Sequence, residues 1–110
     1  MPQFLYRIQP TRLAMLTEGL TAIEERVIDA HFAYLRALAA RGTVVMAGRT
    51  LNDDETTFGI VIFVAESEAA ALETMRNDPA VKGGVMRAEL FPYRIALWSA
   101  LGPGGDVDDP

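Results

Sequence analysis

Two amphipathic helical stretches lie among four short apolar strands, in the order β-α-β-β-α-β. That order predicts an α+β domain of the ferredoxin-like type, a four-stranded antiparallel sheet with both helices on one face. Two local signals support it. Thr21-Ala22-Ile23-Glu24 is a capping box that opens a long helix. The strand-like runs alternate with a period of two, as half-buried strands do. A chain of 110 residues is one domain with a modest core, which oligomerisation would enlarge.

The first strand is expected over Gln3 to Gln9, where Phe4, Tyr6 and Ile8 alternate with Leu5, Arg7 and Gln9; Pro10 ends it. A connection to Gly19 follows, and its Leu13-Ala14-Met15-Leu16 run fits either a short helical turn or a flap. From the capping box a helix runs to about Arg41, with Gly42 placed to end it in a left-handed cap. Val44 to Thr50 and Phe58 to Ala65 read as the second and third strands. Between them Leu51 to Glu55 is a polar hairpin loop. Ser67 caps a second helix that carries Leu72 and Met75. This helix stops near Asn77, because the residue before Pro79 avoids the α region. A last strand is expected over Val85 to Trp98, with Pro92 as a candidate break. Residues 1–100 thus form a single domain, and 101–110, rich in Gly, Pro and Asp, read as a disordered acidic tail.

The third strand is apolar on both faces: Phe58, Ile60 and Ile62 alternate with Val61 and Phe63. Helices cover one face of the sheet only. A second copy covers the other most economically, so a homodimer packed sheet to sheet is expected.

Composition excludes several classes. Half the residues are hydrophobic and 23% are charged, as in globular chains. The absence of cysteine rules out disulfides, thiolate nucleophiles and Cys-ligated zinc, and one histidine argues against a multi-His metal site. The net charge of −5, with arginines scattered and no basic patch, argues against nucleic-acid binding. No apolar run is long enough to span a bilayer, and Met1-Pro2-Gln3-Phe4 does not open a signal peptide. The expected location is cytoplasmic, with no membrane partner.

His31, the single histidine, shares a helical stripe with Val27, Leu35 and Leu38. Two readings stand: a buried histidine satisfied by a carbonyl, or a general acid or base at the lip of a pocket. Asp78 precedes Pro79 and is placed to N-cap a helical turn; its carboxylate could also orient the His31 imidazole. Gly48 and Gly59 fall inside strands, where a bulge or the close approach of another group, a ligand included, explains glycine. Arg49 is either a solvated cation or a clamp for a carboxylate or phenolate. Gly83-Gly84 sets the turn into the last strand, and Tyr6, Tyr34, Tyr93 and Trp98 read as core or interface aromatics.

The ordered set His31-Phe32-Ala33-Tyr34-Leu35-Arg36-Ala37-Leu38, Gly42, Ala47-Gly48, Gly59, Asp78-Pro79 and Gly84-Val85 resembles the YciI-like proteins from the first strand to about Trp98. The resemblance implies a dimeric α/β barrel of ferredoxin-like subunits and a His–Asp dyad falling on His31 and Asp78. Gly48, Arg49, Gly59 and Gly84 are expected at the substrate. Where the family commonly has Gly-Pro after the second strand, this chain has Gly48-Arg49, which points to an altered pocket rim or substrate preference. The function expected is a small cofactor-independent enzyme. In it, His31 moves a proton on a small organic molecule, such as a hydroxylated ring, in isomerisation, elimination or lyase chemistry. The alternative is a non-catalytic dimeric module that binds a small molecule for regulation.

Overall fold

The computed structural model describes residues 1–104. The chain runs through β1 (Gln3–Pro10), α1 (Ala14–Thr17), α2 (Ala22–Ala40), β2 (Val44–Arg49), β3 (Gly59–Val64), α3 (Glu68–Arg76), α4 (Pro79–Lys82) and β4 (Met86–Tyr93). This is the expected α+β order, with one-turn helices added before α2 and after α3. The Leu13–Leu16 run is therefore helical, and Met15 plugs it into the protein. Most of the acidic tail expected over 101–110 lies outside the described residues.

The four strands form one antiparallel sheet in the order β2-β3-β1-β4. The two longest-range pairings therefore fall on β1, which sits between β3 and β4. Phe4, Tyr6 and Ile8 of β1 share a face with Phe63, Val61 and Gly59 of β3. That face packs on Leu35 and Leu38 of α2 and Ala71 and Met75 of α3 to make the core. Burying each large apolar side chain there contributes roughly 1.5–3 kcal/mol.

The ends of α2 follow from its sequence. The Thr21 hydroxyl accepts from the Glu24 N–H at 3.1 Å, and the Glu24 carboxylate accepts from the Thr21 N–H at 2.9 Å. At the other end Thr43 N–H donates to the Leu38 carbonyl and Gly42 N–H to the Ala39 carbonyl, a Schellman closure. Arg12 Nε donates to Glu24 at 2.9 Å and Arg12 Nη2 donates to the Gly19 carbonyl. The β1–α2 connection is thereby tied to the start of α2.

The last strand is shorter than its apolar pattern predicts. It stops at Tyr93 rather than Trp98: Tyr93 pairs with Gln3, the first residue of β1, Pro2 before it has no N–H to offer, and the Ile95 N–H donates to the Gln3 side chain instead. Pro92 does not break it. The strand lies at the sheet edge, where one side of the backbone needs no partner and a missing N–H is tolerated. The other expected irregularity is also displaced: the register shift in β2 falls between Val44 and Met46, not at Gly48.

On the face away from the helices, Leu5 pairs with Ile62 and Phe91, and Arg7 lies between Ile60 and Glu89. Arg7 and Glu89 form an ion pair there, while Arg7 Nε is sealed from solvent with no hydrogen-bond acceptor. Among the described residues no helix is long and apolar enough to cross a membrane.

Candidate functional site: a buried histidine–aspartate pair

His31 lies midway along α2 on the stripe that faces the core, and it is 4% exposed. Val27, one turn earlier, is only half-buried and turns toward the end of α4, beside Gly83. Asp78 occupies the tight link between α3 and α4 and is fully buried. Its position follows from local sequence. Asn77 caps α3, Pro79 sets the first turn of α4, and Asp78 is left extended between them at φ −60° and ψ 122°.

Each oxygen of this carboxylate is engaged. Oδ1 accepts the Ala80 N–H at 2.9 Å, the expected N-cap bond, and lies 2.7 Å from His31 Nδ1. Oδ2 accepts the Tyr6 hydroxyl at 2.6 Å. The two roles foreseen for Asp78, cap and imidazole partner, are thus carried by one oxygen. A carboxyl met by donors on both oxygens is used as an acceptor. The network therefore assigns the shared proton to His31 Nδ1 and leaves the lone pair on Nε2.

Nε2 has no hydrogen-bond partner in the protein. Among the described residues Arg7 Nε is the only side-chain nitrogen or oxygen that is both sealed and unpartnered, so His31 Nε2 retains an opening to solvent. The imidazole thus has one nitrogen fixed from inside and one presented outward.

Tyr6 is the member of the cluster that alternation along β1 did not reveal. Its ring is fully buried and packs edge-on against Phe63, with centroids 5.5 Å apart. Burial pushes its hydroxyl well above the ordinary tyrosine range, and the charge of Asp78 and the bond to it push the same way. The sequence did carry one signal: a tyrosine on a buried face needs a partner for its hydroxyl. Tyr34 satisfies that need elsewhere, donating to the Thr74 carbonyl at 2.7 Å. Its own hydroxyl is raised by burial first and by Asp78 second.

The remaining expected site residues are not bonded to this cluster. Gly84, at φ +73°, closes α4: Val85 N–H donates to the Ala80 carbonyl and Gly84 N–H to the Val81 carbonyl. Only glycine adopts that left-handed backbone without strain. Gly59 is explained by packing within the sheet, since a Cβ there would lie 3.0 Å from Ile8 Cγ1 and 3.2 Å from the Gly48 carbonyl oxygen. Gly48 meets no such crowding; open space surrounds the place of its missing Cβ. Gly48 and Arg49 instead line a depression of about 280 Å³ with Met46, Thr50, Phe58 and Ile60.

A family model of the YCII-related domain matches residues 6–94, a span that runs from Tyr6 through Asp78 to the first residue after β4. This chain belongs to the YCII-related domain family. The family assignment accords with the resemblance read from the sequence. Among curated proteins no sequence matches the chain. Among solved structures, this YCII-related chain is similar to 5-chloro-2-hydroxyhydroquinone dehydrochlorinase from Burkholderia phenoliruptrix, determined in complex with 2,5-dihydroxybenzoquinone. The two are 25% identical and superpose with a TM-score of 0.62, over 84% of this chain and 93% of the other. The architecture is thus of the YciI-like dimeric α/β barrel type.

Proposed function

We propose that this protein is a small enzyme acting on a hydroxylated ring or a similar small organic molecule, with His31 as its proton-transfer residue and Asp78 as the residue that orients it. The observation that carries the reading is the 2.7 Å contact between His31 Nδ1 and Asp78 Oδ1 on a ring whose Nε2 is left without a protein partner. An imidazole so held is a base on one side only. Nε2 takes a proton from an acidic O–H or C–H of the substrate, and the carboxylate behind it stabilises the imidazolium. Negative charge then rests on the substrate. Its collapse either expels a leaving group or takes the proton back at another atom, giving elimination or isomerisation without a cofactor. The similarity to a dehydrochlorinase of a hydroxyhydroquinone supports this substrate class.

Gly48 and Arg49 are proposed to contact the substrate, with the guanidinium offered to a phenolate or carboxylate; Gly59 and Gly84 contribute through the backbone, by shaping the sheet and the turn after α4. The site is proposed to work in a homodimer, with a second copy covering the face that bears Leu5, Ile62 and Phe91.

The test is turnover of hydroxylated hydroquinones, other hydroxylated aromatics and lactones by the purified protein. His31→Ala and Asp78→Asn are each expected to lower the rate by about 10²–10⁴-fold, the usual contribution of a positioned acid–base group. Full activity in both variants overturns the assignment. Saturable binding of these compounds without turnover of any would favour the regulatory binding module instead.

A further inference from the structure

The Asp78 carboxylate would be free to turn about its Cβ–Cγ bond if it were held only through Oδ1. We infer that Tyr6 is the positioning residue of the site: by donating its hydroxyl to Asp78 Oδ2 it locks the carboxylate in the plane that presents Oδ1 to His31 Nδ1. This rests on the reading of His31 and Asp78 as the working pair, and extends it to β1.

Three observations carry it. First, Oδ1 already receives two donors, Ala80 N–H at 2.9 Å and His31 Nδ1 at 2.7 Å, and Oδ2 receives Tyr6 at 2.6 Å. The Ala80 bond comes from the residue's own helix turn and follows the carboxylate as α4 moves; the Tyr6 bond comes from the centre of the sheet. Tyr6 is therefore the contact that ties the link between α3 and α4 to a rigid strand. Second, the ring itself cannot shift. It is fully buried, packs edge-on against Phe63, and pairs through its backbone with Val61 on one side and Leu90 on the other. Third, its hydroxyl has no competing partner, whereas the Tyr34 hydroxyl is spent on the Thr74 carbonyl. Burial also keeps the Tyr6 hydroxyl protonated, so it remains a donor. Three elements far apart in sequence, β1, α2 and the turn before α4, then meet in one chain of hydrogen bonds that ends at the exposed side of the imidazole.

The experiment uses the full chain and the Nδ1 proton of its single histidine, observed by ¹H–¹⁵N NMR at fixed pH and low temperature. In Tyr6→Phe this proton is expected to change its shift and to exchange with solvent at least about tenfold faster, because the carboxylate no longer holds its plane. Tyr34→Phe removes a hydroxyl of the same kind that does not touch Asp78, and is expected to leave the signal unchanged. A Tyr6→Phe protein whose Nδ1 proton keeps both its shift and its exchange rate overturns the inference, whatever happens to its melting temperature. If Tyr6→Phe does not fold, Tyr6→3-fluorotyrosine retains the shape and strengthens the donor. The Nδ1 proton must then shift because Asp78 has become a weaker acceptor; an unmoved signal overturns the inference. Once a substrate is in hand, Tyr6→Phe is expected to lower turnover by about tenfold, the loss of one charge-assisted hydrogen bond. An altered NMR signal with undiminished turnover in His31→Ala and Asp78→Asn refutes the dyad and leaves the positioning role standing. The reverse pattern refutes the positioning role alone.

Discussion

Replacing Asp78 with alanine strands three donors at once. The Ala80 N–H loses its cap, worth about 1 kcal/mol. The Tyr6 hydroxyl and the His31 Nδ1–H lose their acceptor inside the protein, where an unmade hydrogen bond costs about 1–3 kcal/mol. Taken at the low to middle of these ranges, the loss is about 3–5 kcal/mol, the range found when one partner of a buried pair is removed. For a chain of 110 residues this lowers the melting temperature by about 12–20 °C, at roughly 4 °C per kcal/mol. The assay is urea unfolding followed by circular dichroism, with thermal melts alongside. The coupling is tested by Tyr6→Phe in the same background. Because Tyr6→Phe removes one of the stranded donors, the double variant should be more stable than the sum of the two single losses predicts, by about 1 kcal/mol. A loss below about 1 kcal/mol for Asp78→Ala, or strict additivity with Tyr6→Phe, would refute the argument that this carboxylate is a structural hub.

Other perturbations follow from the same contacts. Glu24 is held down to about pKa 2, chiefly by the hydrogen bond from Arg12 and next by the Thr21 N–H. Its stabilising contribution is complete above its ordinary value of 4.5 and is lost as the pH falls toward 2. Glu24→Gln should therefore flatten the acid side of the stability curve between those values, read from melting temperature against pH. Gly84→Ala is expected to cost about 1–2 kcal/mol from the left-handed backbone alone, since open space surrounds the added methyl group; chemical denaturation measures it. Sedimentation equilibrium should return twice the chain mass for the native protein at micromolar concentration and a single-chain mass for Phe91→Glu, a folded variant charged on the open sheet face. A native protein that sediments as one chain would sink the sheet-to-sheet dimer.

Short-range order was legible in the residues themselves. The capping box at Thr21–Glu24, the stop at Gly42, the Ser67 cap and the helical turn after Asp78 all appear where the sequence places them. Each is decided within four or five residues, by a side chain bonding to nearby backbone or, at Gly42, by a left-handed glycine that lets the backbone close on itself. Alternation likewise grouped Phe4, Tyr6 and Ile8 on one side of β1, the buried one, whereas β3, apolar on both faces, left its helix-facing side to the tertiary structure. It misjudged β4, because a strand ends where its neighbour ends, and the Tyr93–Gln3 pairing is invisible in the Val85–Trp98 run. The site divides in the same way. The sequence alone marked His31 as a polar residue on an apolar stripe and Asp78 as a cap before proline. Only the tertiary structure brought them to 2.7 Å across 47 residues of chain, and added Tyr6 from 72 residues away. No periodicity encodes such a meeting. It depends on where sheet order and helix packing place three separately formed elements, and on the need of each buried polar group there for a partner.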